Sequence, residues 1–436
     1  MAAHACRVGP GRGRFAGLAL LRKKSKDVLK PGSRQASPLA PLLLTVFVDM
    51  LGFGIVIPIL PLYAERFSAS PVMIGALLAV YSAMGFLFSS VVGTLSDRLG
   101  RKSVLLLSTT GQAAAFLIMG SANAFGWLFV ARTIDGVFGA NVSTTQAYVA
   151  DVTTAEERAK AMGLLGAAFG LGFICGPLLG GVLSQVTVSA PFYFAGALAA
   201  VNAGLIAFVL PESLPAQNRT RSTGGRIRTA FLQGEAKVLG PLMAAYFFMM
   251  FGFTLMTAFF AIFTEDRFGF TGAENGYVFA LIGATAVLVQ ARLVGPLVHR
   301  FTEKRIAMGG VAILACALFA LPLVKGIGAL LLVSAGVATG NSLVNPSISG
   351  LVSRSTDPRS QGRVLGMVQA AASLGRCAGP VAGGWLLSFN PRHTADFGKA
   401  PFWCGSALLL AALLLVTIAP VPRLKAVETS APTRVP

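Results

Sequence analysis

Apolar runs close to 20 residues long recur through most of this 436-residue chain, and no other feature constrains its fold as much. Residues 39–61 read LAPLLLTVFVDMLGFGIVIPILP and hold a single charged residue, Asp49. A helix of about 20 apolar residues matches the roughly 30 Å hydrocarbon core of a bilayer. Lipid offers the backbone no hydrogen-bond partners, so only helices or closed barrels cross it. Barrel strands would alternate polar and apolar residues at period two, and these runs do not. The charged fraction is 12%, against about a quarter in ordinary soluble domains. The reading is an all-α integral membrane protein. It has twelve transmembrane helices, near residues 39–61, 72–93, 103–122, 126–149, 160–183, 190–210, 241–263, 275–297, 306–324, 327–351, 362–388 and 400–419.

The net charge of +19 would suit a nucleic-acid partner, but its placement argues against one. Of the 36 Lys and Arg, 28 fall in the two tails and the even-numbered loops. Only Arg66, Arg267, Lys325, Arg392 and Lys399 fall in odd-numbered loops, and Arg132, Arg292 and Arg376 lie within helices. By the positive-inside rule this bias puts both termini in the cytoplasm, and an even number of helices agrees because it needs both termini on one side. The location expected is a bacterial inner membrane, with an organellar membrane as the alternative. The first 38 residues carry nine bases and one acid, Asp27. They read as a cytoplasmic tail or, alternatively, as an organellar targeting peptide, and no secretory signal peptide is evident. Five scattered cysteines without a C-x-x-C suggest small apolar residues rather than a disulfide or metal site.

The longest polar interruption, 211–239, divides the chain into a tail (1–38), a six-helix bundle (39–210), a cytoplasmic linker, a second bundle (240–420) and a tail (421–436). The bundles are pseudo-symmetric. GLGFICGPLLGG (170–181) and SLGRCAGPVAGG (373–384) share six of twelve residues at an offset of 203 and occupy helices five and eleven. Gly172, Gly176 and Gly180 recur every fourth residue and form a smooth face for close helix packing, as do Gly375, Gly379 and Gly383. Pro177 and Pro380 permit bending, and Gly181 and Gly384 complete the motif. Tight packing alone, or a hinge or seal between halves, would use such a pattern. GTLSDRLGRK (93–102), between helices two and three, has a weak echo in GPLVHRFTEKR (295–305), where Gly295 and Arg300 recur and His299 replaces the acid.

Charges in the membrane core are costly, so each is a functional hypothesis. Asp49 lies about nine residues into helix one, roughly 13 Å deep, and its flanks offer no cation. It is a candidate for carrying protons, or else a structurally satisfied carboxyl. On helix four, Arg132, Asp135, Gly139, Ser143 and Gln146 share one face, and Arg132 and Asp135 can pair at i, i+3. That pair is the second proton-coupling candidate, through Asp135, or a static buried pair. Asn141 lies off the face and is a further cavity candidate, as is Gln290 on helix eight. On helix eleven, Gln369, Ser373 and Arg376 share a face. Arg376 could hold an anionic group or a carboxylate such as Asp49. Helix seven, YFFMMFGFTLMTAFFAIF (246–263), offers an adaptable ligand wall or else packing and lipid-facing residues.

These segments resemble the major facilitator superfamily over about residues 40–420. GTLSDRLGRK resembles its signature loop G-x-L-x-D-R-x-G-R-[KR] through Gly93, Leu95, Asp97, Arg98, Gly100, Arg101 and Lys102. GxxxGPxxGG in helix five resembles the motif of the superfamily's proton-driven exporters. DMLGFGIVIPILP and ARTIDGVFGANVSTTQAYVAD resemble helices one and four of tetracycline-type and multidrug antiporters. The resemblance implies that Arg101 pairs with Asp97 and with Asp151, forming a cluster that latches the halves in an outward-facing state. A solvated loop that merely sets topology is the alternative.

No H-E-x-x-H or G-x-S-x-G is present, and GTLSDRLGRKS lacks the spacing of a phosphate loop, so an enzyme is not expected. Two related six-helix halves suit rocking about a midplane site. The function implied is proton-coupled efflux of small, partly apolar compounds by a monomer with no cofactor, drawing energy from the proton gradient. A uniporter or importer of a metabolite and a non-transporting receptor of the same fold are the alternatives.

Overall fold

The computed structural model describes residues 39–215 apart from 140, residues 217 and 219, and residues 236–356, 361–394 and 396–419. Both tails, most of the linker and the side chain of His299 lie outside the described residues. The described residues form helices and turns, without strands. Helices one to three span Leu39–Glu65, Pro71–Leu99 and Arg101–Gly120. Helix four is broken into Phe125–Phe138 and Val142–Val152. Helices five and six span Ala155–Ser184 and Ala190–Val209, and helix seven spans Ala236–Phe268. Helix eight runs through Gly272–Leu288, a π-helical turn at Val289–Val294, and Gly295–Arg300. Helices nine to twelve span Glu303–Ala320, Ile327–Arg354, Gln361–Leu387 and Lys399–Ile418.

Ten of these are long and apolar enough to cross a membrane. The two expected spans that fall short are helix four, because it breaks, and helix eleven, which carries Gln369, Ser373 and Arg376. Large apolar side chains such as Leu87, Phe208, Leu332 and Leu414 are exposed. Such a surface is a liability in water and is solvated by lipid tails. Side-chain caps satisfy the first backbone donors of several helices. Ser70 Oγ accepts from the Met73 N–H at 3.3 Å, and Thr154 and Thr302 do the same for helices five and nine. Thr271 and Glu274 form a reciprocal capping box at the start of helix eight.

The repeated motif of helices five and eleven sets the packing of the halves. Helix five lies against helix one of its own half and helix eight of the other; helix eleven lies against helices seven and two in the same way. A Cβ on Gly172 would stand 2.7 Å from the Phe47 carbonyl oxygen, and one on Gly176 would stand 2.5 Å from that of Leu51. Gly180 would meet Ile55 at 3.2 Å. In helix eleven, Gly375 and Gly379 approach the Phe247 and Phe251 carbonyls, and Gly383 approaches Phe259. The last glycine of each motif turns to the opposite half. Gly181 faces Gly272 and Ala273 of helix eight, and Gly384 presses on Pro71 of helix two. The halves therefore meet backbone to backbone near the starts of helices two and eight, on the odd-loop side.

Candidate functional site

Helix four breaks at the Gly139–Asn141 turn. The Gly139 N–H still donates to the Asp135 carbonyl at 2.7 Å, and the helix restarts at Val142. The break separates the segment with Arg132 and Asp135 from the one that carries Ser143 and Gln146. Ser143 and Gln146 are exposed, whereas Asn141, Thr144, Thr145 and Tyr148 are buried. A continuous 3.6-residue period cannot be carried across a break in the helix. Asn141, expected off the face, donates from Nδ2 to Asp49 Oδ2 at 2.9 Å. Asp49, expected without a partner, thus has a neutral one from 92 positions away.

Arg132 Nη1 donates to Asp135 Oδ2 at 2.6 Å, and both side chains are buried. The Arg132 guanidinium also lies 4.3 Å from the centre of the Tyr81 ring, a cation–π contact that the sequence reading missed. Arg376 pairs with no carboxylate among the described residues. Its guanidinium donates to Ser373 Oγ at 2.8 Å and approaches Met250 Sδ at 3.8 Å. The suggested pairing with Asp49 is therefore absent, because the hydroxyl one helical turn back holds it instead.

Between the halves lies a cavity of about 830 Å³. The first half contributes Met50, Phe53, Tyr81, Arg132, Phe169 and Phe173, among others. The second contributes Tyr246, Met250, Phe253, Asn341, Asn345, Gln369 and Arg376, among others. Gln369 also borders a neighbouring hollow of about 450 Å³ with Gln290, Tyr246 and Asn345. Tyr246 OH donates to Asn345 Oδ1 at 2.8 Å. Asn341 and Asn345, four apart on helix ten, were not singled out in the sequence. Helix seven divides its residues: Met250 and Phe253 line the cavity, while Phe259, Phe260 and Phe263 are buried in the core.

On the even-loop side, Arg101 gathers the end of helix two and the end of helix four. Its guanidinium meets Asp97 Oδ1 at 2.7 Å, Asp151 Oδ2 at 3.4 Å and Ser96 Oγ at 2.5 Å. Gly100 sits at φ +100°, which other residues rarely adopt, and it lets helix three start directly after helix two. Lys102 Nζ donates to the Ala207 carbonyl of helix six at 2.8 Å. Gly93 leaves open space, and Arg98 is exposed. Two residues from the linker join this cluster without having been singled out. Glu212 Oε1 accepts from the Arg101 backbone N–H at 2.8 Å, and Ser213 donates to Asp151 at 3.1 Å. The carboxylate of Glu212 thereby caps the positive end of helix three.

On the odd-loop side, Arg392 pairs with Glu65 of the first half and reaches Glu265 of the second at 3.9 Å. The Asp266 carboxylate accepts from the His393 backbone N–H at 3.0 Å. In the sequence Arg392 counts only as a loop base, and Glu65 and Glu265 were not singled out, because nothing local joins positions 65, 265 and 392.

Residues 42–380 and 293–435 match the family model described as Major Facilitator Superfamily. Over 395 residues the chain is 32% identical to the tetracycline resistance protein, class C, of Escherichia coli, covering 87% of this chain and 94% of that one. Over 354 residues it is 31% identical to multidrug resistance protein 2 of Bacillus subtilis (strain 168), covering 80% and 88%. The crystal structure of the human organic anion transporter MFSD10 (TETRAN) superposes with a TM-score of 0.65 at 24% identity, covering 88% of this chain and 100% of that one. At that identity the superposition speaks for the fold.

Proposed function

The chain belongs to the major facilitator superfamily, and on that premise we propose that it is a proton-coupled antiporter. It exports small, partly apolar compounds by alternating access around the cavity between its halves. The observation that carries the reading is the position of that cavity. It lies between two repeated bundles, and Arg132, whose partner Asp135 is buried beside it, lines its wall. Efflux accords with relatives named for tetracycline and multidrug resistance. Asp49 and Asp135 are the acids proposed to carry protons. With the even loops in the cytoplasm, the Glu65–Arg392–Glu265 contacts and the two glycine seals close the path to the outside. The conformation is then one that has released its cargo outward and returned. In the opposite state the Asp97–Arg101–Asp151 cluster would steady the first half as the cytoplasmic side closes. The protein would act as a monomer in a bacterial inner membrane with no cofactor.

Everted membrane vesicles loaded by expression of the full chain test this reading, with tetracycline as the first probe. An acid-inside gradient should drive accumulation, and collapsing that gradient should release it. Equilibration that ignores the gradient would indicate a uniporter, and no flux of any compound in a broad panel of aromatic amphiphiles would indicate a receptor.

A further inference from the structure

The cavity carries an uneven charge. Two guanidiniums line it, and no Asp or Glu does. Arg132 is neutralised by Asp135 at 2.6 Å. Asp49, nearby in helix one, is held by the Asn141 amide. Among the described residues Arg376 has only uncharged partners, Ser373 Oγ at 2.8 Å and Met250 Sδ at 3.8 Å. A guanidinium presents five donors in a planar fork, and those two contacts leave most of the fork unused. Away from water, a cation without a counter-ion is costly, and an arriving anion offsets that cost. The amides that line the cavity, Asn341, Asn345 and Gln369, come from the same half as Arg376. The side chains of Met50, Phe53 and Phe173 line it from the other half.

We propose that the cavity selects organic anions: a carboxylate or similar oxyanion on a partly aromatic body. The anionic group would take the Arg376 fork, further acceptors would take the neighbouring amides, and the ring would lie along Met50, Phe53 and Phe173. The proposal rests on the reading of this cavity as the transport site and adds the sign of the cargo's charge. A neutral or cationic compound of the same shape would leave Arg376 unpaired.

Three tritiated probes of one shape test it by equilibrium binding to the purified full chain: 2-naphthylacetate, neutral 2-naphthylacetamide and cationic 2-(2-naphthyl)ethylammonium. The anion should bind on the order of tenfold more tightly than the amide, as a charge-assisted hydrogen bond implies, and the cation most weakly. Arg376→Gln should erase the preference by weakening the anion far more than the amide, and Arg376→Lys should keep the preference in weaker form. A cation bound as well as the anion, or a preference that survives Arg376→Gln, overturns the proposal. If Arg376→Gln does not fold, the wild-type ranking and Arg376→Lys still decide. Met50→Trp, which reshapes the wall that the ring would lie along, separates the two readings. Equal binding of all three probes that Met50→Trp abolishes sinks the charge selectivity and keeps the cavity. Binding that Met50→Trp leaves intact sinks the cavity reading and the selectivity with it.

Discussion

Two carboxyls in the first half, Asp135 buried and Asp49 partly buried, keep different company, and the difference assigns them different sensitivities. Asp135 has a formal cation, Arg132, at 2.6 Å, and that cation in turn lies over Tyr81. Asp49 has the Asn141 amide at 2.9 Å, a partner that needs no charge change of its own. In Asp49→Asn an amide replaces a carboxyl of the same shape and cannot take up or release a proton. Accumulation driven by a pH gradient should then vanish, while substrate binding and downhill exchange remain. Asp135→Asn leaves Arg132 buried without a counter-ion, which costs about 3–5 kcal/mol for a buried pair. Its melting temperature and its binding should both fall. Flux assays beside thermal unfolding of the two variants check this, and concentrative transport by Asp49→Asn would move the proton role to Asp135.

Helix five shows how an element turns composition into contact. Its glycines stand where helix one comes so close that a Cβ at Gly176 would lie 2.5 Å from a backbone oxygen and 2.9 Å from the Gly54 Cα. Backbone cannot yield there as a flexible side chain could, and membrane helices gain their association from such close approach. Gly176→Leu should therefore separate helices five and one, and a variant that still inserts should turn over at least an order of magnitude more slowly. Initial export rates per molecule of folded protein test this, and an unchanged rate would sink the close-approach reading. Helix four makes the opposite use of glycine. The turn at Gly139 ends one rod and starts another, so Asn141 can reach Asp49.

At the scale of the whole molecule, the contacts between the halves include two repeated seals and, among the described residues, one ionic tie. The seals, Gly181 on Gly272 and Ala273 and Gly384 on Pro71, are backbone packing and have no charge to lose. The tie is Arg392, which gathers Glu65 and Glu265 from opposite halves and leaves two carboxylates facing each other if it is removed. Partly exposed ion pairs contribute little individually, about 0–1 kcal/mol, which is enough to shift a balanced equilibrium between two states. Arg392→Gln should lengthen the distance between spin labels placed at Ala69 and Phe389 in a cysteine-free background. Pulsed electron–electron resonance reads that distance, and an unchanged distribution would leave the glycine seals as the whole of the closure.

The all-helical membrane architecture, the places of ten apolar spans and the close-packing glycine faces followed from local pattern alone. Each depends on residues within one or two helical turns or on a repeat at fixed offset. Lipid permits few backbone solutions, so a run such as 39–61 has little choice but to be a helix. The Arg132–Asp135 pair was readable for the same reason, being three residues apart. What the tertiary structure decided are the partners that sequence separates. Asn141 for Asp49, Glu212 for the start of helix three, Tyr81 for Arg132, and Arg392 between Glu65 and Glu265 are each brought together by helix packing. Helix four is interrupted between Gly139 and Asn141. One break resets the phase of every later side chain, and only the neighbouring helices determine which side then faces the interior.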